Sequence, residues 1–181
     1  MIYERATLIV WPSPNGHKEW SYASRMHFHS QQAENFDSHM SRNRTCTAFS
    51  GTDRGRDNPD DTAIPNLGPL PKGVYYLVDR HSGGRMGMMR DLWSTYGFGS
   101  TDRQYWFMLW NPVSGDTTNI NGIARGNFRL HPMGPLRLSQ GCITVVNSGA
   151  FDALQKFIRS RGLTMPVPGT TMKAYGTVEV K

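Results

Sequence analysis

The sequence predicts a mainly β fold with one principal α-helix. Short runs rich in β-branched and aromatic residues recur along the chain, and Gly, Pro and Asn separate them. A single segment carries apolar residues at three- and four-residue spacing, which is the helical period. The chain has 181 residues, a length that can bury one hydrophobic core without disulfide staples. We therefore expect a single domain spanning residues 1–181.

The predicted strands are short and regularly interrupted. Residues 7–11 and 20–25 flank a Pro-Ser-Pro-Asn-Gly segment, which predicts an N-terminal hairpin. Residues 26–43 are polar, and residues 50–71 are dense in Gly, Pro, Asp and Asn, so both are expected to be irregular. The other predicted strands are 45–50, 73–79, 105–110, 128–131, 142–146 and 172–180.

The helix is predicted over residues 148–161. Ser148 is the expected N-cap, and Gly162 follows the last turn. Its apolar face is formed by Phe151, Leu154, Phe157 and Ile158. We expect this face to pack on the sheet and to support the strand at 142–146 that precedes it.

The net charge indicates which kinds of molecule the protein could bind. Twenty basic and fourteen acidic residues give a net charge of +6, which favours anionic polymers such as nucleic acid or the bacterial cell wall. The basic residues are scattered and do not form a cluster interleaved with aromatics, so nucleic acid is the weaker choice. There is no apolar run of transmembrane length, and the N-terminus lacks the pattern of a signal peptide.

The clearest chemistry lies in residues 128–145. His131 ends a predicted strand, and Cys142 follows a Ser139-Gln-Gly141 turn eleven residues later. An imidazole within reach of a thiol can produce a thiolate nucleophile. Gly141 permits an unusual backbone angle, so the N–H groups of Gly141 and Cys142 could face a developing oxyanion. Ser139 could hydrogen-bond the imidazole or the substrate.

Two nearby arginines, Arg129 and Arg137, could bind a substrate carboxylate, because a guanidinium pairs with a carboxylate bidentately. The alternative interpretation of His131 and Cys142 is structural: cysteines that open strands are commonly small buried residues.

Other interpretations stay open for the remaining cysteine and for the histidines. Cys46 and Cys142 could form one disulfide, which would block the nucleophile. His27 and His29 would share one face of a strand at a spacing usable for zinc, although no acidic residue accompanies them in a recognised metal motif. A metal-dependent cell-wall amidase is therefore a distant alternative. The acidic residues in 53–61 lack the ligand spacing of a calcium loop.

A resemblance narrows the chemistry. Ser139-Gln-Gly-Cys142-Ile resembles the nucleophile motif of L,D-transpeptidases, Ser-His-Gly-Cys followed by an apolar residue, with a histidine upstream. Phe49-Ser-Gly51, the Asn58-Pro pair and Ile64-Pro-Asn-Leu-Gly-Pro-Leu-Pro-Lys-Gly-Val-Tyr-Tyr76 are similar to motifs of one branch, the L,D-transpeptidase-like type VI secretion effectors that attack peptidoglycan. The similarity covers about residues 46–181.

The resemblance implies a β-sandwich or open barrel of the L,D-transpeptidase type, with the helix after the nucleophile strand. Cys142 would attack the diaminopimelate carbonyl of a tetrapeptide stem, His131 would move the proton, and the terminal D-Ala would leave. Resolution by water makes a carboxypeptidase, whereas resolution by an amine makes a D-amino-acid exchange enzyme or a cross-linking transpeptidase. Neither a metal nor an organic cofactor is required.

The chain departs from the transpeptidase pattern at two positions. Gln140 replaces the second histidine of the motif. Thr144 stands at the substrate-binding position where many transpeptidases carry Arg, so Arg137 or Arg129 would take the substrate carboxylate. These departures favour, as the alternative, a catalytically inactive peptidoglycan-binding module of the same fold. The short interval between His131 and the cysteine leaves little room for a lid, and an exposed site would favour water as acceptor.

The resemblance also implies a location and a set of partners for the protein. An effector would be made in the cytoplasm without a signal peptide, and secretion would carry it to the periplasm of a target cell. The expected partners are peptidoglycan stem peptides, a cognate immunity protein and a secretion-system component. Nucleic acid and membrane insertion are not expected.

Overall fold

The structure is a computed structural model that describes residues 6–11, 24–29, 45–79 and 105–180, with side chains in 46–79 and 105–180. These residues form twelve strands, one α-helix, α1 (Ser148–Ser160), and two 3-10 helices, Asp53–Gly55 and Pro59–Asp61. The strands are β1 (Ala6–Trp11), β2 (Ser24–His29), β3 (Thr45–Phe49), β4 (Gly73–Asp79), β5 (Phe107–Trp110), β6 (Thr117–Ile120), β7 (Ile123–Gly126), β8 (Arg129–Pro132), β9 (Ile143–Val145), β10 (Met165–Pro166), β11 (Lys173–Ala174) and β12 (Gly176–Val180).

Eight strands form one curled sheet in the order β1-β12-β4-β5-β8-β9-β3-β2, and antiparallel pairing of β2 with β1 closes it into a barrel. Two pairs of neighbouring strands in this sheet, β1–β12 and β8–β9, are parallel. The β6–β7 and β10–β11 pairs are separate two-stranded sheets. The predicted mainly β fold with one helix is confirmed for the described part of the chain. No helix within it is long and apolar enough to cross a membrane.

Alternation along the strands builds the main core. β4 is a run of β-branched and aromatic residues in which Tyr75 and Leu77 point to one face and are buried. Neighbouring strands contribute their own inward residues, and α1 packs against this face. The buried side chains of this core include Ala48, Leu70, Phe107, Leu109, Phe128, Leu130, Ile143, Val145, Phe151, Leu154, Ile158, Tyr175 and Val178.

The helix forms where its apolar spacing predicts, and it packs beside the two strands that carry the candidate nucleophile and base, as expected. The predicted cap is wrong by one residue. Asn147, and not Ser148, is the N-cap, and its side-chain oxygen accepts the backbone N–H of Ala150 at 2.9 Å. The helix ends at Ser160, with its C-cap at Arg161.

Several strand boundaries differ from the prediction. The N-terminal pair exists, but its second strand lies at 24–29, so the predicted strand at 20–25 and the start of the predicted irregular stretch at 26–43 are corrected. The predicted strand at 172–180 is divided at Tyr175 into β11 and β12. The hairpin of β6 and β7 was not predicted, because its strands carry few apolar residues.

Candidate active site

The candidate catalytic side chains share one face of β8 and β9, opposite the main core. Side chains alternate across a strand. On β8, Leu130 enters the core, which directs Arg129 and His131 to the other face. On β9, Ile143 enters the core in the same way. The parallel register pairs Leu130 with Ile143 and His131 with Thr144, and therefore brings the residue before β9, the cysteine, beside Arg129.

His131 is held in one tautomer. Its Nδ1 lies 2.8 Å from the carbonyl oxygen of Pro132, which can only accept, so Nδ1 carries the proton and Nε2 the lone pair. The Thr144 hydroxyl donates to Nε2 at 3.3 Å. The indole of Trp106 stacks on the imidazole, with 4.4 Å between centroids. Burial lowers the pKa of His131 to about 4, against the smaller opposing effect of the Pro132 carbonyl. The imidazole is therefore a neutral base at pH 7.

Cys142 is a buried thiol. Its Sγ lies 3.9 Å from the carbonyl oxygen of Asn127 and donates to it. Burial raises the pKa of the Cys142 thiol to about 11. The backbone N–H of Arg129 and the positive charges of Arg129 and Arg125 act in the opposite direction, and the carboxylate of Asp116 adds to the increase. In the substrate-free structure, the thiol is protonated at neutral pH.

The two candidate catalytic groups lie on one face without a hydrogen bond between them. Among the described residues, His131 bonds to Pro132 and Thr144, and the Cys142 sulfur contacts the carbonyl of Asn127 and the backbone N–H of Arg129. The expectation of an exposed site is wrong, because His131 is 4% exposed and Cys142 is 5% exposed.

A tight turn places the thiol at the start of β9. The Ser139 hydroxyl donates to the carbonyl of Cys142 at 2.7 Å, so it closes this turn and does not contact the imidazole, in contrast to the expected role. Gly141 has a φ of +101°, in the region that favours glycine. A Cβ there would lie 2.8 Å from the ring of Phe128 and would overlap the guanidinium of Arg125. The turn therefore requires glycine at this position.

The two predicted carboxylate-binding arginines have different environments. Arg129 is buried, and its two terminal nitrogens contact both oxygens of Asp116, at 2.6 and 3.0 Å, while Nη1 also donates to the Phe128 carbonyl. It is thus occupied within the protein. Arg137 is exposed in the loop that joins β8 to the cysteine, and its backbone carbonyl accepts from Arg56 at 3.0 Å.

Sequence reasoning missed three side chains around this site: Trp106, Asp116 and Arg125. Residues 105–110 were predicted as a strand, and the stacking on the imidazole is what distinguishes Trp106 within it. Asp116 follows a turn, and Arg125 lies in the unpredicted hairpin. No local pattern marks either residue, because both act through contacts that are distant along the chain.

Both cysteines of the chain are free and buried, so the alternative of a Cys46–Cys142 disulfide is wrong. Within the described ranges, no group of three or more His, Cys, Asp or Glu side chains is arranged to hold a metal ion. His27 and His29 lie on β2, and their side chains fall outside the described set, as do His17 and His39.

Comparison with known proteins adds the family. Residues 44–170, more than two thirds of the chain, match the model of the Tlde1 domain. Neither curated proteins nor solved structures gave a significant match. The match includes β3, both 3-10 helices, and the strands and turn that carry His131 and Cys142. The chain therefore belongs to the Tlde1 domain family, a family of type VI secretion effectors for which secretion and action in target cells are expected.

Proposed function

We propose that the protein is a cysteine L,D-carboxypeptidase or L,D-transpeptidase that acts on the tetrapeptide stems of peptidoglycan, as a secreted antibacterial toxin in the periplasm of target cells. One observation carries the proposal. A neutral imidazole, with Nε2 as its basic nitrogen, lies on the same face of β8 and β9 as the Cys142 thiol. This is the pair of groups that acyl transfer from a peptide requires.

The first half of the reaction breaks the terminal peptide bond. Nε2 of His131 takes the thiol proton, and Sγ of Cys142 bonds to the carbonyl carbon of the diaminopimelate residue. When the tetrahedral intermediate collapses, the C–N bond breaks, and the imidazolium returns the proton to the nitrogen of the departing D-Ala. The product is a thioester on Cys142. The backbone N–H groups of Gly141 and Cys142 are proposed to stabilise the intermediate oxyanion.

The second half resolves the thioester. Water, deprotonated by His131, attacks the same carbonyl carbon, the C–S bond breaks, and the thiolate recovers its proton from the imidazolium. The product is a tripeptide stem with a free carboxylate. A D-amino acid or the amine of another stem can attack in place of water, which gives exchange or a cross-link. Removal of donor tetrapeptides weakens the wall.

The carboxylate of the leaving D-Ala needs a cationic partner, and Arg137 suits this role better than Arg129. Arg129 already forms a bidentate ion pair with Asp116. Arg137 is exposed in the loop before the cysteine, and within the described residues its guanidinium makes no hydrogen bond or ion pair. Thr144, the third predicted substrate-binding residue, has its hydroxyl on His131.

The test is product analysis by mass spectrometry after incubation with a defined disaccharide-tetrapeptide. The expected result is release of D-Ala and formation of the tripeptide. Cys142→Ala and His131→Ala should each abolish release. Cys46→Ala is the matched control, because Cys46 is also a free buried cysteine but lies on β3. Undiminished release by either catalytic variant contradicts the proposal.

A second candidate is a peptidoglycan-binding module without catalytic activity. It is favoured by the absence of a hydrogen bond between His131 and Cys142 among the described contacts, and by the Thr144 hydroxyl that occupies Nε2. Binding of intact tetrapeptide without any D-Ala release, at an affinity unchanged in Cys142→Ala, would favour this module over the enzyme. Its expected partners otherwise stay the same: stem peptides, an immunity protein and a secretion-system component.

A further inference from the structure

Arg125 is a buried cation that binds a distant loop. It lies on β7 and is 4% exposed. Its Nη1 donates to the carbonyl oxygens of Thr62 and Pro69, the latter at 2.7 Å, and its Nη2 donates to that of Gly68 at 2.8 Å. One guanidinium thus fixes three carbonyls of the segment between the second 3-10 helix and β4.

The same guanidinium contacts the turn that carries the nucleophile. Nη2 occupies the space that a Cβ on Gly141 would need, and the guanidinium carbon lies 5.3 Å from the centroid of the Phe128 ring. Arg125 therefore joins two segments that are far apart in sequence, the 62–69 loop on one side and the turn before Cys142 on the other.

The positive charge of Arg125 has no carboxylate partner among the described residues, whereas that of Arg129 has one. Arg129 is offset by the carboxylate of Asp116. Within residues 46–79 and 105–180, the hydrogen bonds of Arg125 go to neutral backbone carbonyls alone. These carbonyls solvate the guanidinium but leave its full positive charge in place. A buried charge without a carboxylate partner is costly, and groups of this kind cluster at functional sites.

We propose that Arg125 is a positioning residue for Cys142: it locks the 62–69 loop onto the Gly141 turn and supplies the buried positive charge that stabilises the Cys142 thiolate. The proposal rests on Cys142 being the nucleophile of the proposed function. Its electrostatic effect on the thiol is in the same direction: the charge of Arg129, offset by Asp116, lowers the pKa of Cys142 more, and the charge of Arg125 lowers it further.

The test uses the thiolate itself and needs no substrate. Full-length protein is treated with iodoacetamide between pH 8 and 9, and the labelling rates of Cys142 and Cys46 are measured in the same sample by peptide mass mapping. Cys46 is an internal control, because burial raises its pKa to about 11 and no arginine contributes to that shift. General loosening of the fold would accelerate both labelling rates, so their ratio reports on the local charge.

The variants are Arg125→Met, Arg125→Lys and, as a matched arginine elsewhere, Arg159→Met. Arg159 pairs with Asp79 at 2.8 Å.

In Arg125→Met, the ratio of Cys142 to Cys46 labelling should fall at least about threefold, the change that about half a pKa unit produces in the thiolate fraction. Arg125→Lys should keep the ratio within about twofold, because the charge remains, but should lose at least about tenfold in D-Ala release, since an ammonium cannot span three carbonyls as a planar fork does. Arg159→Met should lower the melting temperature and leave the ratio unchanged.

An unchanged ratio in a folded Arg125→Met protein, or an equal fall in Arg159→Met, overturns the electrostatic part. If Arg125→Met does not fold, the test relies on Arg125→Lys. Wild-type turnover in that variant overturns the claim that Arg125 locks the 62–69 loop onto the Gly141 turn. A ratio that responds as expected in a protein that releases no D-Ala contradicts the proposed function and leaves only the electrostatic part of this inference standing.

Discussion

His131 and Thr144 are direct neighbours across the parallel strands β8 and β9, and the Thr144 hydroxyl donates to the Nε2 atom of the imidazole at 3.3 Å. Because the Pro132 carbonyl holds the proton on Nδ1, Nε2 is the basic nitrogen of the site. In the substrate-free structure Thr144 thus occupies the atom that the proposed mechanism needs. The thiol proton can reach Nε2 only when this hydrogen bond opens.

Thr144→Val tests whether this hydroxyl is a displaceable occupant of the base. The variant leaves Nε2 buried without a donor, so the free energy of unfolding should fall by about 1 to 2 kcal/mol. Thr144→Ser, which keeps the hydroxyl, is the control and should remain close to the wild type. D-Ala release should survive in both variants, since the thiol replaces the lost donor during reaction. Denaturant unfolding and product analysis measure the two effects. A Thr144→Val protein as inactive as His131→Ala would contradict this role.

Burial of His131 predicts a loss of stability in acid. The pKa of His131 is lowered to about 4 in the folded protein, whereas an exposed histidine titrates near 6.5. Between these values, the unfolded chain binds a proton that the folded protein does not, so stability falls as the pH falls. The contribution of this group is complete above pH 6.5 and is lost by about pH 4, with a total of about 3 kcal/mol.

The measurement compares unfolding free energies at pH 7 and pH 4.5 for the wild type and for His131→Asn, which does not titrate in this range. Acidic groups titrate in both proteins, so the difference between the two pH dependences isolates the histidine. The wild type should lose more stability than the variant on acidification. Parallel losses would show that the imidazole is not kept neutral by the fold.

Removal of the Asp116 carboxylate, which pairs with Arg129, should lower the stability of the protein and raise the reactivity of the Cys142 thiol. The Arg129 side chain is 4% exposed and that of Asp116 is 30% exposed. Asp116→Asn leaves a buried guanidinium without its carboxylate, at an expected cost of about 3 kcal/mol in unfolding free energy. Because the Asp116 charge raises the pKa of Cys142, its removal should accelerate alkylation of that thiol.

Asp152→Asn is the control for this experiment, since Asp152 forms an exposed ion pair with Lys156 on α1. Exposed pairs contribute little to stability, so this variant should resemble the wild type in both measurements. Slower labelling of Cys142 in a folded Asp116→Asn protein would contradict the electrostatic account of the site.

The parts of the fold that are encoded locally were predictable, and those that depend on distant partners were not. β4 was predicted at 73–79, because its β-formers are contiguous and its inward residues alternate. The helix was predicted from its apolar spacing. The hairpin of β6 and β7 has mixed residues, of which Arg125 alone is buried. Its importance is visible only in long-range contacts, those of Arg125 with the 62–69 loop and of the preceding Asp116 with Arg129.

The same distinction applies to the candidate site. His131, Cys142 and the Gly141 turn could be selected from spacing and from the chemistry of the residue types. The burial of the imidazole and thiol depends on how the strands pack, and the commitment of Arg129 to Asp116 depends on a contact thirteen residues away. Sequence therefore identified the candidate pair but not the charged side chains around it.

Arg137 is predicted to recognise the carboxylate of the leaving D-Ala. Arg137→Ala should raise KM for a tetrapeptide stem by about tenfold, the effect of losing one hydrogen bond to a charged group, with a smaller change in kcat. A stem with an amidated terminal carboxyl should bind the wild type and the variant equally. Arg54→Ala is the control, since Arg54 is an exposed arginine in the 3-10 helix Asp53–Gly55. An equal KM increase in both variants would indicate a general effect of surface charge on an anionic polymer.

Asn147 is predicted to stabilise the helix that packs beside the strand after the candidate nucleophile, Cys142. Its side-chain oxygen accepts the backbone N–H of Ala150, one of the donors that the first helical turn leaves without a partner. Asn147→Ala should therefore lower the unfolding free energy by about 1 kcal/mol. Ser148→Ala is the matched control, because Ser148 was the cap expected from sequence yet is the first helical residue. Thermal or denaturant unfolding compares the two, and an equal loss in both variants would contradict the assignment of Asn147 as the cap.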